Sequence, residues 1–303
     1  MIRLLLVLIV AAVLSSAAEP TPIHLWPHGV PGEAANLGPE KDTTKPSDKP
    51  VAGRPVIRLG DVSDPTITVY RAAKPADTHP AVIVFPGGGY QILAMNIEGT
   101  EICQWLNAHG ITAVLLKYRV PRRKELPPYE APLQDAQRAV SIVRSRAGEW
   151  KIAPERIGVM GFSAGGNLAA LTSTRFNQRA YANVDAADHV SSRPDFAVLI
   201  YPAYLTKPEG SSTIAPELTI SHEVPPTFIV QTEDDPVHVE NSLAYYLALK
   251  NAHVPAEMHL FSSGGHGYGM RATGAPVNRW PDELKAWLAC DVKLLPSTCP
   301  GRG

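Results

Sequence analysis

Extremes are missing from this chain, and each absence closes off a class of protein. Only three cysteines occur in 303 residues, and none has the spacing of metal ligands. Charge is close to balanced at a net −1, which leaves no electrostatic ground for a nucleic-acid or anionic-membrane partner. The apolar run at 4–14 has eleven residues, too few to span the ~30 Å hydrocarbon of a bilayer. Blade-length internal repeats are absent. What remains, 45% hydrophobic and 19% charged residues, is ordinary for a soluble globular protein of one or two domains.

The amino terminus differs in kind. Met1-Ile2-Arg3, the apolar run and Ser15-Ser16-Ala17-Ala18 give a basic start, a short apolar core and small residues, the order of a secretory leader over 1–18. Cleavage after Ala17 or Ala18 is expected, leaving a secreted or periplasmic protein without a membrane span. No cysteine follows until Cys103, which argues against a lipid on a new N-terminal cysteine. Cys290 and Cys299 flank 291–298 and are placed to close a small loop, whereas Cys103 lies on the apolar side of an amphipathic helix with Ile102 and Trp105 and reads as a buried thiol.

Residues 19–55 begin with Ile23-His24-Leu25-Trp26, continue through an aperiodic stretch rich in Pro, Lys and Glu, and read as an extended arm. From 56 to 303 a single α/β domain is expected. Strands are predicted at 56–59, 66–72, 81–85, 112–117, 157–160, 196–201, 227–231 and 257–261, and helices at 98–109, 133–149, 164–173, 239–252 and 281–290. From residue 81 on, strands and helices alternate, and the strands are continuous apolar runs. That combination implies a mainly parallel central sheet with helices on both faces. In such sheets reactive groups collect at the carboxyl ends of the strands.

Four of those ends carry chemistry. The first runs into Pro86-Gly87-Gly88-Gly89-Tyr90, where bare amides can approach a developing oxyanion; the Lys-Ser/Thr pair of a phosphate loop does not follow it. The second is Gly161-Phe162-Ser163-Ala164-Gly165 between strand and helix, a pattern weak alone but placed to expose a nucleophilic hydroxyl on a sharp turn. The third is Glu233-Asp234-Asp235-Pro236, from which Asp235, at the loop tip, is chosen to orient an imidazole, with Asp234 the runner-up or a cap for the loop. The fourth is Gly264-Gly265-His266-Gly267, a histidine among glycines that offer it no core; His238, the nearest rival, sits beside the acid.

The order Ser163, Asp235, His266 is that of the α/β-hydrolase fold. Together with Leu116-Lys-Tyr-Arg119, Gly161-Phe-Ser-Ala-Gly-Gly166 and the run from Ser192 to Pro202, it makes the chain resemble the α/β-hydrolase esterases and, within them, the acetylxylan-esterase-like group of secreted or periplasmic bacterial hydrolases. Pro86 departs from the histidine that hormone-sensitive-lipase relatives carry before the glycines. The resemblance implies a Ser-His-Asp triad without metal or cofactor, oxyanion donors on Gly88, Gly89 and Ala164, and acetylated plant polysaccharide or another small-acyl ester as substrate. A prolyl-oligopeptidase-like peptidase shares G-x-S-x-G-G but needs a propeller domain, and a non-catalytic binding module would have lost a triad member. The stretch 203–225 is expected to lie over the site, with Tyr90 and Tyr204 as candidate lining residues, and no apolar lid is present, so short acyl chains are expected.

Overall fold

The computed structural model describes residues 20–33 and 37–296; the leader expected at 1–18 and Cys299 lie outside that range. Along the chain run β1 (Ile23–His24), β2 (Lys41–Asp42), β3 (Arg58–Gly60), β4 (Thr66–Tyr70), β5 (Ala81–Phe85) and β6 (Leu93–Ala94). Next come α1 (Glu101–Ala108), β7 (Thr112–Lys117), α2 (Glu130–Ser145), α3 (Ala147–Trp150), β8 (Ile157–Phe162) and α4 (Ala164–Thr174). β9 (Ala197–Ile200), β10 (Thr227–Thr232), α5 (Glu240–Asn251), β11 (Ala256–Phe261) and α6 (Trp280–Cys290) follow.

Eight strands form the central sheet in the order β1-β4-β7-β5-β8-β9-β10-β11. The six from β7 to β11 are mutually parallel, and β4 and β1 add antiparallel at one edge. β5, β8 and β10 are buried at every position, because alternate side chains enter two different cores. Ile83, Phe85, Val159 and Ile229 pack with Leu133, Leu168 and Leu249 of α2, α4 and α5. Val82, Val84, Met160 and Phe228 pack on the other face with Leu106 of α1 and Trp287 of α6. Every parallel strand therefore ends on the same side of the molecule.

Boundaries shift where local chemistry intervenes. The helix predicted at 98–109 opens as a π-helical turn, Asn96–Thr100, before α1. The helix predicted at 133–149 starts a turn earlier, with Pro132 tolerated in its first turn, and divides at Arg146. The described residues between 20 and 55 do not stand apart as an arm. β1 pairs with β4, β2 pairs with β3 in a second, three-stranded sheet completed by β6, and Leu25 and Trp26 are buried. Cys103 is free and buried, and burial pushes its thiol up; Cys290 is disulfide-bonded. Among the described residues no helix is long and apolar enough to cross a membrane.

One buried carboxylate fastens this amino-terminal segment. Asp135 on α2 accepts Nε of Arg119 (3.0 Å), the Arg119 amide (3.0 Å) and Nε1 of Trp26 (2.9 Å). Arg119 also donates to the carbonyls of Pro31 and Ala131. Both partners of the ion pair are almost fully buried, so removing one strands the other in a poor dielectric. Asp135→Ala is expected to cost about 3–5 kcal/mol in urea unfolding; a loss below about 1 kcal/mol would show that water enters and relieves the stranded guanidinium.

Candidate active site

Ser163 is the residue between β8 and α4, and its backbone has φ 52° and ψ −118°. A non-glycine residue in that region carries strain of about 1–3 kcal/mol and persists only if its surroundings hold it there. Here the Ser163 amide donates to Ile200 O (3.0 Å), and its carbonyl accepts from Asn167 (3.1 Å) and Ala203 (3.1 Å). The turn is tight: a Cβ on Gly161 would lie 1.9 Å from the carbonyl oxygen of Gly165. The hydroxyl is thereby pushed out beyond the strand ends.

His266, in the loop after β11, places Nε2 2.8 Å from Ser163 Oγ and Nδ1 2.8 Å from Asp235 Oδ2. An ionised carboxylate only accepts, so Nδ1 carries the proton and the Nε2 lone pair receives the serine O–H. The Asp235 side chain is fully buried and further fixed by the Val237 amide (2.7 Å) and Gln231 Nε2 (3.2 Å). Asp234 turns the other way. It accepts the amides of Gly264 (3.0 Å) and Gly265 (2.8 Å), which hold its carboxyl below the usual range, and so closes the histidine loop. His238 lies exposed, with its ring beside Gly210.

In the glycine loop the Gly87 amide is taken up by Glu98 Oε2 (2.7 Å). Gly88 has φ +131°, and a Cβ there would meet the Ile92 carbonyl at 2.1 Å, so only glycine fits. The amides of Gly88, Gly89 and Ala164 make no backbone hydrogen bond among the described residues. Gly88 and Gly89 line a cavity of about 380 Å³ with Ser163 and His266.

The other lining differs from expectation. Tyr90 is buried, donates its hydroxyl to Asn167 Oδ1 (2.7 Å) and stacks on Tyr204 at 6.2 Å, so it supports the loop from behind. Tyr204 is partly exposed and has its hydroxyl beside Gly89, at the margin of the cavity. The walls are Val51, Val56 and Arg58 with Ile92, Ala94 and Ile97. Val51 comes from the segment read as an arm, Val56 and Arg58 from the strand predicted at 56–59, and the others from the residues after the glycine loop, where no periodicity marked them. Arg271, five residues beyond His266, is buried and donates to the carbonyls of Val51 (3.2 Å), Arg54 (2.7 Å) and Pro55 (3.1 Å) while paired with Glu101. It joins the histidine loop to the cavity wall. Among the described residues no cluster of three His, Cys, Asp or Glu side chains is arranged to hold a metal ion.

The chain matches the BD-FAE family model over residues 67–200. It is 32% identical over 232 residues to the acetylxylan esterase of Xylanibacter ruminicola, a match covering 69% of this chain and 45% of that protein, so the chain spans less than half of that relative. Among solved structures it is similar to the acetyl ester-xyloside bifunctional hydrolase of Caldicellulosiruptor lactoaceticus, with 33% identity, a TM-score of 0.69 and coverage of 92% of this chain and 99% of that one. It is also similar to the esterase Est2 of Thermogutta terrifontis solved with propionate, with 25% identity, a TM-score of 0.66 and coverage of 78% and 92%.

The close approach at the serine turn sets a direct test. Gly161→Ala is expected to destabilise by about 3 kcal/mol, because the new methyl meets the backbone of Gly165 and Gly166 across the turn; a melting temperature equal to wild type would mean that the turn is not held this tightly.

Proposed function

The chain belongs to the acetylxylan-esterase-like group of the α/β-hydrolase esterases, and on that premise we propose that it removes short acyl groups, above all acetyl, from the hydroxyls of xylan or a related carbohydrate. The observation that carries this reading is the hydrogen-bonded series from Asp235 through His266 to Ser163, opening beside the unpaired amides of Gly88 and Gly89.

The steps follow from that geometry. Ser163 Oγ attacks the ester carbonyl as its proton passes to His266 Nε2, and Asp235 stabilises the imidazolium that forms. The carbonyl oxygen, now negative, is received by the amides of Gly88, Gly89 and Ala164. His266 returns the proton to the departing sugar oxygen, leaving an acyl-serine. Water, deprotonated by His266, then hydrolyses it and restores the hydroxyl. The apolar wall of Val51, Val56, Ile92, Ala94 and Ile97 supports a short acyl group or one face of a sugar in the cavity. The propionate held by the Thermogutta terrifontis esterase supports small acids in such a site.

Hydrolysis of p-nitrophenyl acetate and release of acetate from acetylated xylan, measured in parallel, test the reading. Ser163→Ala is expected to abolish both, by roughly 10⁴-fold or more, in folded protein. Asp235→Asn is expected to lose roughly 10³–10⁴-fold through the wrong tautomer of His266. Asp234→Asn, which loosens the loop without touching the ring, should lose far less. Turnover of the small ester alone would remove the polysaccharide, a preference for palmitate over acetate esters would remove the short-acyl assignment, and no turnover at all would favour a binding module.

A further inference from the structure

One buried carboxylate at the site has no part in the steps above. Glu98 is 4% exposed, sits in the π-helical turn before α1 and lines the same cavity as Ser163 and His266. Its Oε2 accepts the Gly87 amide at 2.7 Å, and its Oε1 accepts the Tyr201 hydroxyl at 2.8 Å. The same Tyr201 hydroxyl accepts the Gly269 amide at 3.2 Å, and the Tyr201 ring packs edge-on against the His266 imidazole at 4.8 Å. Tyr201 is itself held at φ +39°, a conformation that needs such anchoring.

We propose that Glu98 is a positioning residue that clamps the oxyanion loop and the histidine loop to one another. The inference rests on the esterase reading and deepens it. Binding the Gly87 amide orients the following peptides, so that Gly88 and Gly89 present theirs to the substrate instead. Holding Tyr201 fixes the surface against which the His266 ring stands. Glu98 thus places both the group that takes the proton and the groups that take the charge, without touching substrate.

A residue kept only for folding would not be chosen this way. Burial pushes the Glu98 carboxyl up, and the hydrogen bonds from Tyr201 and Gly87 and the nearby His266 only partly offset it. A carboxyl whose native pKa is raised opposes folding at pH values above that pKa, because the unfolded chain ionises it freely. Removing the charge with an isosteric amide is therefore expected to leave the fold as stable as wild type or more so. In Glu98→Gln the side-chain carbonyl would still accept from Gly87 while the new NH₂ group donates to Tyr201, but the acceptor-only clamp would be lost.

Glu98→Gln and Tyr201→Phe, assayed on p-nitrophenyl acetate beside their melting temperatures, decide the matter. Glu98→Gln is expected to lower kcat by about tenfold to hundredfold, with KM within about threefold and no fall in melting temperature. Tyr201→Phe should lower kcat in the same sense, and the double variant should lose less than the product of the two, since both break one connection. A kcat within about twofold of wild type in either folded variant, a loss confined to KM, or a loss that only follows a drop in melting temperature would overturn the clamp. Should Glu98→Gln fail to fold, Tyr201→Phe still reads the connection. No turnover by the wild type, or wild-type turnover that survives Ser163→Ala, would instead refute the reading of Ser163 as the esterase nucleophile, leaving the two failures distinguishable.

Discussion

The site depends on one backbone conformation, the left-handed turn at Ser163. A serine hydroxyl at the end of a buried parallel strand would ordinarily point along the sheet or into a core. Only the reversal between β8 and α4 projects it beyond the strand ends, and a serine resists that reversal by about 1–3 kcal/mol. The surroundings supply what holds it. β8 is buried throughout between β5 and β9, α4 is buried along its whole length, and three backbone hydrogen bonds close on Ser163 itself. The two-faced core is therefore the rigid support that keeps a strained residue from relaxing.

With the hydroxyl fixed, the remaining groups divide by environment more than by residue type. Asp234 and Asp235 are adjacent and chemically identical, yet one closes a loop at the surface while the other is sealed beneath an imidazole. The glycine loop shows the same division among amides. Gly87 is already satisfied by Glu98, so the unpaired donors are those further along the chain, beside Ser163. Preorganised donors of this kind stabilise charge without reorganising, which is why their placement matters more than their number.

How much of this could be read from the sequence follows from what leaves a local signature. Continuous apolar strands, the strand-to-helix glycines around Ser163 and a histidine set among glycines are local patterns, and their positions were legible with the strand ends they occupy. Tyr90 was legible as a neighbour of the site but not as a support behind it, because the partner of its hydroxyl, Asn167, lies 77 positions away. Glu98 left no mark, since an acid at the start of a predicted helix is an ordinary capping choice. The walls from Val51 to Arg58 were hidden for a different reason. A strand was expected at 56–59, but Val51 and Val56 lie in the turn and loop that lead into a three-stranded antiparallel sheet, and its strands of two or three residues, which carry Arg58 and Ala94, are too short to mark a cavity wall.

That small sheet separates two tasks in the molecule. The parallel sheet positions Ser163, Asp235 and His266 through its strand ends, whereas the antiparallel one contributes Arg58 and Ala94 to the wall of the cavity beside them. Their register is not left to weak surface contacts. Arg271, close behind His266 in the chain, takes three carbonyls of the 51–55 segment on one guanidinium and is itself neutralised by Glu101 at the start of α1. A buried guanidinium with every donor engaged cannot shift without stranding its charge, so the wall moves with the histidine loop or not at all. The distance between His266 and the wall is thus held nearly as firmly as the distance between His266 and Ser163. Selectivity at such a site is altered more readily by changing the side chains of Val51, Val56 or Ala94 on a fixed frame than by moving the frame, because the frame is built into the same polar contacts that support the chemistry.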